Sequence, residues 1–201
     1  MSILIGLTGN IGAGKSLAAS YFQELGAYII DADLISRQLV VPHQPAWEEI
    51  VDKFGNGYLN PDKTLNRSKI SAEVFQSDKK RQALEVILHH RVIAEENKIY
   101  SDHRKIDPEA IVIIDSALLI ESQNYKNVSK VIIVQSTQEL QIKRVMNRDR
   151  ESRVSVKNRL KSQMSLEEKL NYADYILYNT SGRDQLKSQA HRLYSELKDL
   201  A

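Results

Sequence analysis

The sequence predicts an α/β fold: a three-layer sandwich around a five-stranded parallel sheet, interrupted by a helical insertion and closed by a lid. Three observations predict it. Five short apolar runs recur along the chain with helical patterns between them. A glycine-rich loop follows the first run. The stretch between the second and third runs is far longer than the dozen or so residues a crossover needs.

Ile3-Leu4-Ile5 is the first run. It is apolar at successive positions, as expected of a strand buried on both faces of a parallel sheet. After the loop, Ala18, Tyr21, Phe22 and Leu25 follow helical spacing, and Gly26 is a helix stop. Tyr28-Ile29-Ile30 is the second strand, Ile111 to Ile114 the third, Val131 to Val134 the fourth and Tyr175 to Tyr178 the fifth. Ser136 with Glu139, and Ser165 with Glu168, read as capping boxes. Leu186, Ala190, Leu193, Leu197 and Leu200 form the stripe of a last helix. Strands alternating with helices in this way predict a parallel sheet.

Residues 34–105 read as mostly helical. Trp47, Ile50, Val51 and Phe54 make one stripe, and Leu84, Ile87 and Leu88 another. This insertion is expected to form a second small domain, leaving residues 1–33 and 106–201 as the α/β core. Arg144 to Gln163 is strongly basic and poor in large apolar residues. It is expected to be a mobile, solvated lid covering about residues 144–164.

Composition narrows the function. The chain has 201 residues, with 28 basic against 26 acidic side chains, a net charge of +2. That balance argues against a nucleic-acid or membrane surface. No apolar run approaches the roughly 20 residues of a membrane span, and "SILIG" is too short for a signal. Cysteine is absent, which rules out disulfides and thiolate metal sites and fits a cytoplasmic protein.

The loop carries the chemistry. Gly9-Asn10-Ile11-Gly12-Ala13-Gly14-Lys15-Ser16 fits G-x-x-x-x-G-K-[ST], the phosphate-binding P-loop. Glycines let the backbone turn its N–H groups toward phosphates, and the following helix aims its positive end at the anion. Lys15 reaches the β- and γ-phosphates, and the Ser16 hydroxyl suits Mg²⁺. Asp31 and Asp33 follow the second strand, where open α/β sheets bind ligands. An extended segment points both carboxylates the same way. Either is placed to accept a proton from an attacking hydroxyl, and either to cap the next helix. Asp115 closes the third strand, as a second carboxylate near Mg²⁺ or as a cap. Arg144, Arg148 and Arg159 supply guanidinium groups for a triphosphate, or a solvated surface. The five histidines show no metal-site spacing.

Taken in order, several segments resemble the dephospho-coenzyme A kinase family over nearly the whole chain. They are "GLTGNIGAGKS", "LGAYIIDADLISRQL", "TLNRSKISAEVF" around Leu65, Arg67 and Phe75, "LEVILHH", "IIDSALLIES", "RVMNRD", "RLKSQM" and "EEKLNYADYILYN". The resemblance implies that ATP, with Mg²⁺, phosphorylates the ribose 3′-hydroxyl of dephospho-CoA to give CoA and ADP, the last step of CoA biosynthesis. It implies that Gly9 and Ile11 to Leu17 hold the ATP phosphates. Arg144 and Arg148 would face phosphates or adenine, and Asn179 the adenine. It selects Asp33 over Asp31 as the base, with Lys15 and Arg144 as its catalytic companions. It places dephospho-CoA in the helical insertion, near Arg67, His89 and the Leu118-Leu119 turn. A monomer or small homo-oligomer is expected.

The chain departs from the family pattern at four places. His90 and Ala117 stand where prolines are usual, Arg150 where glycine is favoured and Tyr178 where aspartate precedes the late asparagine. Loss of two prolines enlarges the unfolded ensemble and is expected to alter the fine substrate contacts. Two other readings predict different behaviour. A nucleoside monophosphate kinase would accept other hydroxyl or phosphate acceptors. A nucleotide-dependent switch would hydrolyse ATP slowly and ignore dephospho-CoA.

Overall fold

The computed structural model describes residues 1–200, apart from the side chains of Phe75 and Gln76. The Phe75 side chain therefore lies outside the described residues. The chain divides into two compact units: Met1–Asp31 together with the chain from Tyr100 onward, and Ala32–Ile99.

The first unit holds five strands, β1 (Ile3–Thr8), β2 (Tyr28–Asp31), β3 (Ile111–Asp115), β4 (Lys130–Gln135) and β5 (Tyr175–Tyr178). All pair in parallel, in the order β2-β3-β1-β4-β5. Every residue of β1 and β3 is buried, which explains why both read as unbroken apolar runs. The connection reverses about β1: the chain fills one side with β2 and β3, then crosses to β4 and β5. Ligands bind outside the carboxyl ends of strands at such a reversal. The loop after β1 and the end of β3 both lie there.

Helix α1 (Lys15–Glu24) buries Ala18, Tyr21 and Phe22, and Gly26 follows its end at φ 105°. Later come α6 (Gln138–Asp149), α7 (Arg153–Lys161), α8 (Leu166–Leu170) and α9 (Arg183–Lys198). The main core joins Ile5, Leu7, Phe22, Ile113, Ile132 and Val134 to Leu186, Ala190, Leu193 and Leu197 of α9. Leu200 lies past the helix and is exposed, so the apolar stripe ends at Leu197.

The second unit contains α2 (Ala32–Leu39), α3 (Pro45–Phe54), α4 (Arg67–Gln76) and most of α5 (Asp78–Ile106). Ala46, Ile50, Leu65, Ile70 and Ile87 form its core, with Trp47, Val51, Phe54, Leu84 and Leu88 packed against them. The boundary falls inside α5, not in a linker.

Three local expectations are corrected. Ser165 and Glu168 do form a capping box, but Ser136 and Glu139 do not. Thr137 is the cap, its hydroxyl accepting from Leu140 N–H. Ser136 is buried one residue earlier and spends its hydroxyl on Asn179 and Arg144. Second, Arg144 to Gln163 is not a solvated stretch without packing. Helices α6 and α7 bury Ile142, Val145, Val156 and Leu160 in a cluster of their own, with Ile11 and Met146 at its side. Third, Asp31 and Asp33 do not lie on an extended segment. The chain turns helical at Ala32, which puts Asp33 in the first turn of α2.

Candidate active site

The phosphate loop is held by its outer face. Gly12 sits at φ 75° and Gly14 at φ 102°, angles that side chains seldom adopt. Space forbids a side chain as well. A Cβ on Gly14 would lie 2.0 Å from Asn179 Nδ2, and one on Gly12 would lie 2.6 Å from the Gln141 carbonyl oxygen. Asn179, just past β5, donates from Nδ2 to the Ala13 carbonyl at 2.8 Å.

Arg144, on α6, completes this support. Its Nη1 donates to the carbonyls of Gly12 (3.3 Å) and Ala13 (3.4 Å) and to Ser136 Oγ (3.0 Å). Its Nη2 donates to Asn179 O (3.0 Å) and Oδ1 (3.2 Å). Burial holds the guanidinium below its ordinary pKa. Arg144 thus grips the carbonyl side of the loop and leaves the N–H side to a ligand. The opposite rim of the loop is tied too. Ile11 N–H donates to Gln163 Oε1 at 2.9 Å, and Asn10 Nδ2 donates to the Met164 carbonyl at 2.9 Å.

At the head of α1, Lys15 Nζ is ion-paired with Asp115 at the end of β3, both side chains nearly buried. Asp31 stands opposite Asp115 in the β2–β3 register. Ser16 and Leu17 follow Lys15 in the first turn of α1, with Ser16 exposed. The unit therefore collects a cradle, an ammonium, a hydroxyl and carboxylates at one end of the sheet.

Arg148 is paired within its own stretch. Its Nε and Nη2 donate to Asp149 at 2.6 and 2.9 Å, and Arg159 donates to Asp149 at 3.2 Å and to Glu151. This pairing, first with Arg148, holds the Asp149 carboxyl well below the usual range, to about 2. Arg150 takes φ 56° at the end of α6, where the left-handed angle suits glycine.

Leu118 and Leu119 part company. Leu118 is exposed, whereas Leu119 is fully buried and fills the space beside Gly6. In the second unit, Asp33 is exposed in the first turn of α2, and Arg67 is exposed at the start of α4. His89 is half-buried on α5. Next to it, exposed His90 lies 2.6 Å from the Val86 carbonyl through Nδ1.

Sequence reasoning gave no site role of their own to Asn10, Gln163, Glu121 or Lys169, and it read Ser136 as a helix cap. Lys169 is fully buried and paired with Glu121 at 2.9 Å. Its sequence context, Glu167-Glu168-Lys169, has the signature of a surface helix.

A parallel sheet with a phosphate loop at its reversal point, and with Lys15 and Asp115 paired beneath it, defines a nucleotide-binding protein of the P-loop kinase class. A family model described as dephospho-CoA kinase matches residues 3–185. The dephospho-CoA kinase of Aquifex aeolicus is 37% identical over 193 residues, 96% of each chain. Among solved structures, a dephospho-CoA kinase from Campylobacter jejuni superposes with a TM-score of 0.70 at 29% identity, covering 99% of this chain and 98% of that one. TT1252 from Thermus thermophilus reaches 0.80 at 26% identity, covering 98% of each chain. The chain belongs to the dephospho-CoA kinase family.

Among the described residues, no helix is long and apolar enough to cross a membrane.

Proposed function

We infer that the chain transfers the γ-phosphoryl group of ATP to the ribose 3′-hydroxyl of dephospho-CoA, giving CoA and ADP. The observation that carries this reading is the phosphate cradle, intact in every defined residue and braced by Arg144 and Asn179, in a chain of this family.

The roles follow from chemistry. Backbone N–H groups from Gly12 to Ser16 bind the phosphates, with the positive end of α1 behind them. Lys15 exchanges part of its pairing with Asp115 for the β- and γ-phosphates, a larger concentration of negative charge. The Ser16 hydroxyl and the Asp115 carboxylate are hard oxygen donors, and they fit Mg²⁺ held jointly with phosphates. When bound, Mg²⁺ neutralises charge on the transferring group. Arg144 acts through the loop it clamps and keeps a positive charge beside it. Arg148 and Arg159 are free to trade Asp149 and Glu151 for phosphate oxygens when residues 144–164 close as a lid. Asn179 lies toward the adenine.

The helical unit binds the acceptor, with Arg67, His89 and the exposed Leu118 contributing to its grip. Leu119 shapes the turn from within. Asp33 takes the proton of the 3′-hydroxyl or orients it, the loose transition state making orientation the larger part. We place the reaction in the cytoplasm, in line with the cysteine-free sequence.

A panel of acceptors in an ADP-release assay tests the reading. Dephospho-CoA should stimulate release well above nucleoside monophosphates. A nucleoside monophosphate as the better acceptor would overturn it.

A further inference from the structure

A buried lysine that the reaction above does not use is Lys169. It sits on α8 with no exposed surface, so its charge must be satisfied within the protein. Nζ donates to the Ala117 carbonyl at 2.9 Å and pairs with Glu121 at 2.9 Å. Glu121 in turn accepts from Met164 N–H at 3.2 Å. The Met164 carbonyl receives Asn10 Nδ2, and the neighbouring Gln163 receives Ile11 N–H. One ammonium thus joins three things: the Ser116–Glu121 turn after β3, the foot of the basic stretch at Gln163-Met164, and the rim of the phosphate loop.

A buried ion pair is weak evidence for stability, because a packed apolar pair of similar volume often does as well. What Lys169 supplies that a methionine would not is a fixed position for two backbone segments. The turn it fixes carries Leu118 and begins one residue after Asp115. Ala117 brings no proline ring to stiffen this turn. Among the described residues, the Ala117 carbonyl accepts from Lys169 Nζ at 2.9 Å and from the Thr8 hydroxyl at 3.4 Å.

We propose that Lys169, with Glu121, is a positioning residue for the acceptor. It sets the Ser116–Glu121 turn against the foot of the basic stretch. The proposal rests on the reading of the chain as a dephospho-CoA kinase. The phosphate loop keeps its separate support from Arg144 and Asn179, so loss of Lys169 should weaken acceptor use far more than nucleotide binding.

The test uses the full chain and the variants Lys169→Met, Lys169→Arg and Glu121→Gln. Lys169→Met should lower kcat/KM for dephospho-CoA about a hundred-fold, the scale of an ångström of misplacement, while the Kd of MgATP moves less than about three-fold. Lys169→Arg, which keeps charge and donors, should recover most of the loss. Should Lys169→Met not fold, Glu121→Gln carries the test. It keeps the shape and should show the same split at about ten-fold.

A variant that melts earlier yet keeps wild-type kcat and KM below its melting point would overturn the proposal, leaving a structural role alone. So would a rise in the Kd of MgATP that matches the loss with acceptor. Failure of the kinase reading shows separately, as a wild-type enzyme that ignores dephospho-CoA. Hydrogen exchange then decides. Lys169→Met should speed exchange at Ser116 and Met164 and spare Gly14 to Leu17, whereas uniform acceleration would overturn the proposal.

Discussion

Replacing Arg144 by alanine separates two roles that sequence alone leaves joined. Three of its contacts are firm: Ser136 Oγ and Asn179 O at 3.0 Å, and Asn179 Oδ1 at 3.2 Å. The contacts to the Gly12 and Ala13 carbonyls, at 3.3 and 3.4 Å, are longer. A hydrogen bond from a charged donor contributes about 1.5 kcal/mol at the low end of its range. Three such bonds, less about 2 kcal/mol of side-chain entropy that ordering an arginine costs, leave about 2–3 kcal/mol. Asn179 is only 3% exposed, so its Oδ1, left without the Arg144 donor, finds little water after the truncation, while its backbone oxygen keeps Ser136 Oγ. Arg144→Ala should therefore lose about 2–3 kcal/mol in denaturant unfolding and also bind ATP more weakly, because the loop is no longer held. Arg144→Lys should recover only part of the stability, since one ammonium cannot span four residues. A stability change within about 0.5 kcal/mol would refute the clamp. Weakened ATP binding without loss of stability would mean that the guanidinium serves the nucleotide directly.

Other expectations follow from the same geometry. Arg150 adopts φ 56°, so Arg150→Gly should raise stability by about 0.5–1 kcal/mol, the relief of a left-handed angle less the entropy glycine adds to the unfolded chain; unfolding at or below the wild-type midpoint would count against this. The Asp149 carboxyl is depressed in the folded protein. Its stabilising contribution should be complete above about pH 4 and lost as the pH falls through about 2, visible as its NMR titration. Arg148→Ala removes the largest cause and should shift that midpoint upward, and an unmoved midpoint would contradict the pairing. Asp33→Asn should cut turnover by at least about a hundred-fold if the carboxylate takes the proton, with ATP binding intact. A smaller loss would assign it mainly to orienting the hydroxyl.

Much of the fold was legible because its strands are buried on both faces. Val112, Ile113, Ile114 and their counterparts in β4 leave no polar side, and period-free apolar runs between helical patterns have few other readings. The loop was legible because each defined position answers a steric or electrostatic demand at Gly12, Gly14 and Lys15. The cap at Thr137 was misread by one residue because two adjacent hydroxyls compete for that role. Only the distant partners Asn179 and Arg144 claim Ser136. The packing of α6 on α7 was missed for a related reason. Ile142 and Val145 meet Val156 and Leu160 across the break at Arg150, and no single helical stripe contains all four. Lys169 was invisible for the same physical cause: its partner Glu121 is far away in sequence, and its local neighbours are acidic. Contacts of long sequence separation leave no periodic trace.

The central claim is a reaction, and its most direct test is ADP release from MgATP with and without dephospho-CoA, followed by the mass and phosphate position of the product. The account predicts release that depends on dephospho-CoA, one ADP for each acceptor consumed, and a product heavier by one phosphate at the ribose 3′ position. Slow hydrolysis unchanged by dephospho-CoA, or a phosphate at another position, would contradict it.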